Sequence, residues 1–98
     1  MVLVLERRAE IAIRSLSQQE QEQVGQALDE IGVIAPDELC QSSKVQKFRA
    51  GSGETFYVYP GTPSLRLILS INGDKYTLED VIDRDKLSRL PLNLDSKV

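Results

Sequence analysis

Lys44-Val45-Gln46-Lys47-Phe48-Arg49-Ala50-Gly51, then Phe56-Tyr57-Val58-Tyr59, then Ser64-Leu65-Arg66-Leu67-Ile68-Leu69 are the runs that decide the fold of this 98-residue chain. Each is strand-length, and turn formers separate them. Gly51-Ser52-Gly53 is a flexible turn between the first two. Pro60-Gly61-Thr62-Pro63 stops the second, because neither proline can sit inside a ladder. The spacing predicts strands over residues 44–50, Thr55–Pro60 and Leu65–Ile71. Asn72-Gly73 then signals a type I′ hairpin, so a fourth strand returns from Lys75 to about Ile82. A rival reading caps a helix at Thr77 with Asp80 as its partner and runs it to Leu90. The hairpin needs a returning strand, which favours the strand and leaves residues 84–90 for a short helix.

Upstream of these runs the periodicity changes. Val2–Leu5 is a short apolar run that reads as a buried strand. Between Glu6 and Leu16, Ala9, Ala12, Ile13 and Leu16 fall at helical spacing among charged residues. Ser17 offers an N-cap and Glu20 the matching capping-box side chain, so a second helix starts near Gln18. Val24, Ala27, Leu28 and Ile31 form its apolar face, a Gln/Glu-rich face looks to solvent, and Gly32 fits a left-handed terminus. Val33 to Ser43 is a connection interrupted by Pro36, with one short helical turn at Asp37–Cys40. Pro91–Val98 lacks a periodic pattern and reads as a flexible tail.

The expected architecture is α+β, a single domain over residues 1–90 with a tail at 91–98. An N-terminal strand and a helical hairpin pack on an antiparallel sheet of three or four strands. The hairpin must cover one face of the sheet, because its apolar stripe has nowhere else to go. The other face is left open. The expected core is Val4, Ala12, Ile13, Leu16, Val24, Leu28, Ile31, Leu67, Leu69 and Ile71.

Composition narrows the chemistry. The one cysteine, Cys40, excludes an internal disulfide and suits a reducing cytosol; it is assigned no chemical role. Met1–Leu5 is too short for a signal-peptide core, and no apolar run is long enough to span a membrane, so a cytoplasmic protein is expected. There is no histidine. That removes Ser/His and Cys/His catalysis and most zinc sites, so neither a metal nor a cofactor is expected. The net charge is −3, with residues 1–43 at −5 and residues 44–98 at +2. An acidic chain is a poor generic nucleic-acid binder, since affinity for phosphates comes largely from Lys and Arg.

In this order the segments resemble the RelE/ParE superfamily of small bacterial toxins from type II toxin–antitoxin pairs. The resemblance covers roughly residues 2 to 88. It rests on the short lysine-bearing strand at 44–50, the strand opening with Arg66-Leu67, and the run Val81-Ile82-Asp83-Arg84-Asp85. It implies a cytoplasmic toxin neutralised by a cognate antitoxin peptide, directed at ribosome-bound mRNA or at DNA gyrase, and leaves self-association as a homodimer open. The ribonuclease branch cleaves RNA by attack of the ribose 2′-oxygen on the adjacent phosphorus, which requires a proton acceptor, a proton donor and cations around the phosphorane.

Carried over position by position, Arg66 and Arg84 occupy the two arginine positions of that branch. Its paired lysine positions hold Tyr57 and Tyr59, and no tyrosine or histidine follows Tyr76. A phenol is neutral at pH 7 and supplies no permanent positive charge. Lys47 and Arg49, on the preceding strand, could contribute that charge as RNA-binding residues if they share a face with the tyrosines. The candidate catalytic set is therefore Arg66, Arg84, Tyr57 and Tyr59. Two alternatives stand beside the ribonuclease: a gyrase-directed toxin, and a non-catalytic interaction protein of the same fold. Each residue also has an ordinary role to fill. Arg66 could pair with Glu54, Glu79 or Asp80, Arg84 could be solvated beside Asp83 and Asp85, and the tyrosines could pack.

Overall fold

The structure is a computed structural model that describes residues 2–87. The element order is β1 (Val2–Leu5), α1 (Arg7–Arg14), α2 (Gln18–Gly32), α3 (Pro36–Gln41), β2 (Gln46–Arg49), β3 (Thr55–Pro60), β4 (Leu65–Asn72), β5 (Lys75–Asp83) and α4 (Arg84–Leu87). The expected α+β class holds. The sheet is wider than expected, with five strands in the order β1-β5-β4-β3-β2. It is also mixed: β1 joins as an edge strand parallel to β5, and the other pairings are antiparallel. The expected tail at 91–98 lies outside the described residues. Among the described residues no helix is long and apolar enough to cross a membrane.

Local signals place most boundaries. Ser17 accepts the Glu20 N–H while the Glu20 carboxylate accepts the Ser17 N–H, closing the capping box that starts α2. Gly32 is the last helical residue rather than a left-handed cap; the C-cap is Val33, at φ −105. The rival helix from Thr77 is absent, because Lys75–Asp83 pairs with β4 along its whole length. The hairpin is also of a different type from the one expected. Asn72 pairs with Lys75, so the loop residues are Gly73 and Asp74, and only Gly73 has positive φ (65). Glycine at the first central position with a negative φ after it is the pattern of a type II′ turn.

One face of the sheet carries the main core. Ala9, Val24, Ala27, Ile31 and Leu39 from α1–α3 meet Tyr59, Leu65, Leu67, Leu69, Tyr76, Leu78 and Val81. Ala12, Ile13, Leu16, Leu28 and Ile71 pack against this cluster and are partly buried. Val4 departs from the expected core, at 39% exposed. Leu3 pairs with Tyr76 on the helix side, so alternation turns Val4, opposite Thr77, to the other face.

A β-bulge in β5 decides which later residues face the helices. Leu69 pairs with Leu78, yet Ile68 pairs with Asp80, so Glu79 is the extra residue. Without it, Leu78 and Val81 would point to opposite faces. With it, both are buried under the helices.

Candidate functional site

Tyr57 and Tyr59 lie on the helix-covered face. Tyr59 is 4% exposed, and its hydroxyl donates to the Glu30 carboxylate of α2 at 3.1 Å. Burial, and then the hydrogen bond and charge of Glu30, raise the Tyr59 pKa above the ordinary phenol value. A side-chain hydrogen bond with Cys40 of α3, followed by burial and the charge of that cysteine, raises the Tyr57 pKa. Both phenols are therefore held neutral and turned toward helical partners.

The registers settle where Lys47 and Arg49 sit. Lys47 is opposite Tyr57 and Arg49 opposite Thr55, so the two cations share the face of Tyr57, at the edge of the sheet. Lys47 and Arg49 are both exposed there.

Arg66 is on the other face. It is opposite Pro60 on one side and Ile82 on the other. Its Nη1 donates to the carbonyls of Thr62 at 2.9 Å, Leu65 at 2.8 Å and Pro63 at 3.5 Å. The acids that could have paired with it are engaged elsewhere. Glu79 accepts the Ser70 hydroxyl at 2.7 Å, and Asp80 accepts the Val81 N–H at 2.8 Å. Arg66 thus closes the β3–β4 loop, whose other stitches are also local. Thr62 Oγ1 accepts the N–H groups of Ser64 and Leu65, and the Leu65 carbonyl accepts the Gly61 N–H. A Cβ on Gly61 would come within 3.3 Å of Leu67, so a glycine lets the loop fold down on the core.

Arg84 reaches the same place. Its backbone N–H donates to the Ser64 carbonyl at 2.7 Å, so α4 begins against the β3–β4 loop. Arg66 and Arg84 therefore gather at one end of the sheet. Tyr57, Tyr59, Lys47 and Arg49 are assembled on the opposite face. The sequence-derived set divides into these two groups and does not converge on one point.

Two shallow grooves border these residues. One, of about 180 Å³, lies between α2 and the β3–β4 loop and is lined by Gln23, Glu30, Gly61 and Thr62 among others. The second, of about 410 Å³, brings Tyr57 beside Glu54, Ser70, Asn72, Lys75 and Thr77. Lys75 was not among the sequence candidates. It comes to this groove by pairing with Asn72 across the last hairpin. Among the described residues no group of three or more His, Cys, Asp or Glu side chains is placed to hold a metal ion.

The sequence matches no protein-family profile. No curated protein matches it either. The architecture is similar to that of a copper-bound mutant toxin from Helicobacter pylori, with a TM-score of 0.51 and 14% sequence identity. The alignment covers 89% of this chain and 98% of that one. At this identity the likeness is one of fold: this chain shares its strand, helices and sheet with a bacterial toxin.

Proposed function

We propose that this chain is the toxin component of a type II toxin–antitoxin pair, of the RelE/ParE-like kind, working in the cytoplasm and neutralised by a cognate antitoxin peptide. The observation that carries the reading is the fold likeness to a bacterial toxin along 89% of the chain. The sequence resemblance through Arg66-Leu67 and Val81–Asp85 adds to it independently.

Within that reading, we favour action by binding over RNA cleavage. Cleavage needs a proton acceptor and a proton donor facing the cations that hold the phosphorane. Here Arg66 and the two tyrosines occupy opposite faces of the sheet, and Arg66 is engaged by loop carbonyls. A gyrase-directed toxin needs no such constellation. The neighbouring positions of Arg66 and Arg84 favour the ribonuclease as a second reading, since both are the arginines that branch would use.

Induced expression in a bacterial host tests the whole. Growth arrest that is relieved by co-expressing a short adjoining reading frame is the expected result. Primer extension on cellular mRNA should show no new ends, and plasmid supercoiling should change. New cleavage ends would sustain the ribonuclease instead. Normal growth, with soluble protein accumulating, would leave the non-catalytic interaction protein as the surviving reading.

A further inference from the structure

The two edges of the sheet are built differently. β2 carries Lys47 and Arg49, and charged side chains are a common guard against pairing with another strand. β1 is Val2-Leu3-Val4-Leu5, with no charge, no proline and an unbroken register against β5. Val4 and Leu5 are 39% and 38% exposed there. The backbone of this edge is open too. In a parallel ladder, alternate residues turn both N–H and C=O to the neighbouring strand, and the residues between them turn both away. The Glu6 N–H donates to the Leu78 carbonyl at 3.0 Å, so Val4 belongs to the inward set and Leu3 and Leu5 to the outward one. Among the described residues nothing pairs with the N–H and C=O groups of Leu3 and Leu5. α1 packs over β5, inside this edge.

We propose that β1 is the interface with a second copy of this chain, the two β1 strands pairing antiparallel about a two-fold axis at Val4 and joining two five-stranded sheets into one. Leu3-Val4-Leu5 reads the same in both directions, which suits an edge that pairs with itself. With the axis at Val4, Leu3 of each copy lies opposite Leu5 of the other, and each such pair exchanges both of its hydrogen bonds. Every outward group of both copies is then satisfied. Centring the pair on Leu5 would put Leu3 opposite Arg7, which is already helical, and leave the Leu3 groups unpaired. Val4 meets Val4 at the non-bonded position, with Cα atoms about 4.5 Å apart, so the exposed valines cover each other. Glu6 falls opposite Val2 rather than opposite Glu6, so no like charges are brought face to face. The axis stands perpendicular to the sheet, which puts the helices of both copies on one side. The strand is short and the interface small, so the association is weak and depends on concentration.

The test uses the full chain. Sedimentation equilibrium over a roughly hundredfold range of concentration should show the mean mass rising from one chain towards two. In an equimolar mixture of isotope-labelled and unlabelled protein, an isotope-filtered spectrum should show a nuclear Overhauser contact from the Val4 Hα of one molecule to the Val4 Hα of another, since the close pairs of an antiparallel ladder bring these atoms together. A charge swap checks the axis. Val4→Lys and Val4→Glu each set like charges opposite one another and should keep the protein monomeric at every concentration. Neither should move the Tm by more than a few degrees, because the side chain is exposed. Mixing the two variants in equal amounts should restore the dimer. A single-chain mass throughout overturns the proposal, as does a mixture of the two variants that stays monomeric. A dimer without the Val4 contact, or one that survives either substitution, also overturns it, because the interface then lies elsewhere on the molecule.

Discussion

Tyr76 donates its hydroxyl proton to the Ile34 carbonyl across 2.6 Å, joining β5 to the connection between α2 and α3. The ring is wholly buried on the helix-covered face of the sheet. One side chain therefore packs the core and fixes where the helical layer crosses it. Tyr59 does the same from β3 by donating to Glu30, so two phenols tie the layers together. Tyr76→Phe keeps the ring and leaves the carbonyl unpaired. It should cost about 1–3 kcal/mol, against about 1 kcal/mol for Tyr59→Phe, whose partner Glu30 can turn to water. Denaturant titration of the two variants checks the order.

Alkaline pH should unfold the protein through these same groups. Tyr57, Tyr59 and Tyr76 all have pKa values raised above the phenol reference, by a hydrogen bond with Cys40 first for Tyr57 and by burial first for the other two. A folded pKa above the unfolded one means the unfolded state gives up its protons first. Stability is then fully present below about pH 10 and is lost as the pH rises through the folded values. Tm measured from pH 8 to 11 should fall along the upper part of that range. The Tyr76→Phe variant should show a shallower fall; an identical slope would remove Tyr76 from the linkage.

The sequence carries the element order because its punctuation is local. Ser17 and Glu20 start α2, Pro60 and Pro63 separate β3 from β4, and Gly73 turns the last hairpin. What stays hidden depends on register and on partners distant in the chain. Val4 reads as core, yet its face is set by pairing with Thr77, more than seventy residues away. Leu78 and Val81 reach the same face only through the bulge at Glu79, and no turn residue marks it. The candidate site suffers most from this. The spacing of Lys47, Arg49, Tyr57 and Tyr59 says that each pair shares a face; only the ladder says which face, and that Arg66 is on the other.

Core substitutions should divide by burial. Leu69 is fully buried between β3 and β5, whereas Leu28 only packs against the edge of the same cluster. Leu69→Ala should cost about 3–5 kcal/mol, and Leu28→Ala about 1–2 kcal/mol, because a partly buried site loses less transfer energy and leaves no closed cavity. Equal losses in urea unfolding would mean that Leu28 is more deeply packed than its accessibility indicates.

Arg66 gives the most informative substitution. Its guanidinium donates to the Thr62 carbonyl and adds a donor to the Leu65 carbonyl, which already accepts the Gly61 N–H, and the loop it closes also receives the start of α4. Removing it should loosen the β3–β4 loop. Arg66→Ala is expected to cost about 1–2 kcal/mol, since hydrogen bonds from a charged donor exceed the average but this group is partly solvated. Arg66→Lys should recover little of that loss, because an ammonium lacks the planar fork that reaches several carbonyls at once. The Tm of both variants, read beside growth arrest on expression, separates scaffold from chemistry. A fall in Tm with arrest restored at lower temperature assigns Arg66 to the loop. Lost arrest at an unchanged Tm, in both the alanine and the lysine variants, would assign it to a phosphate and return the ribonuclease reading to first place.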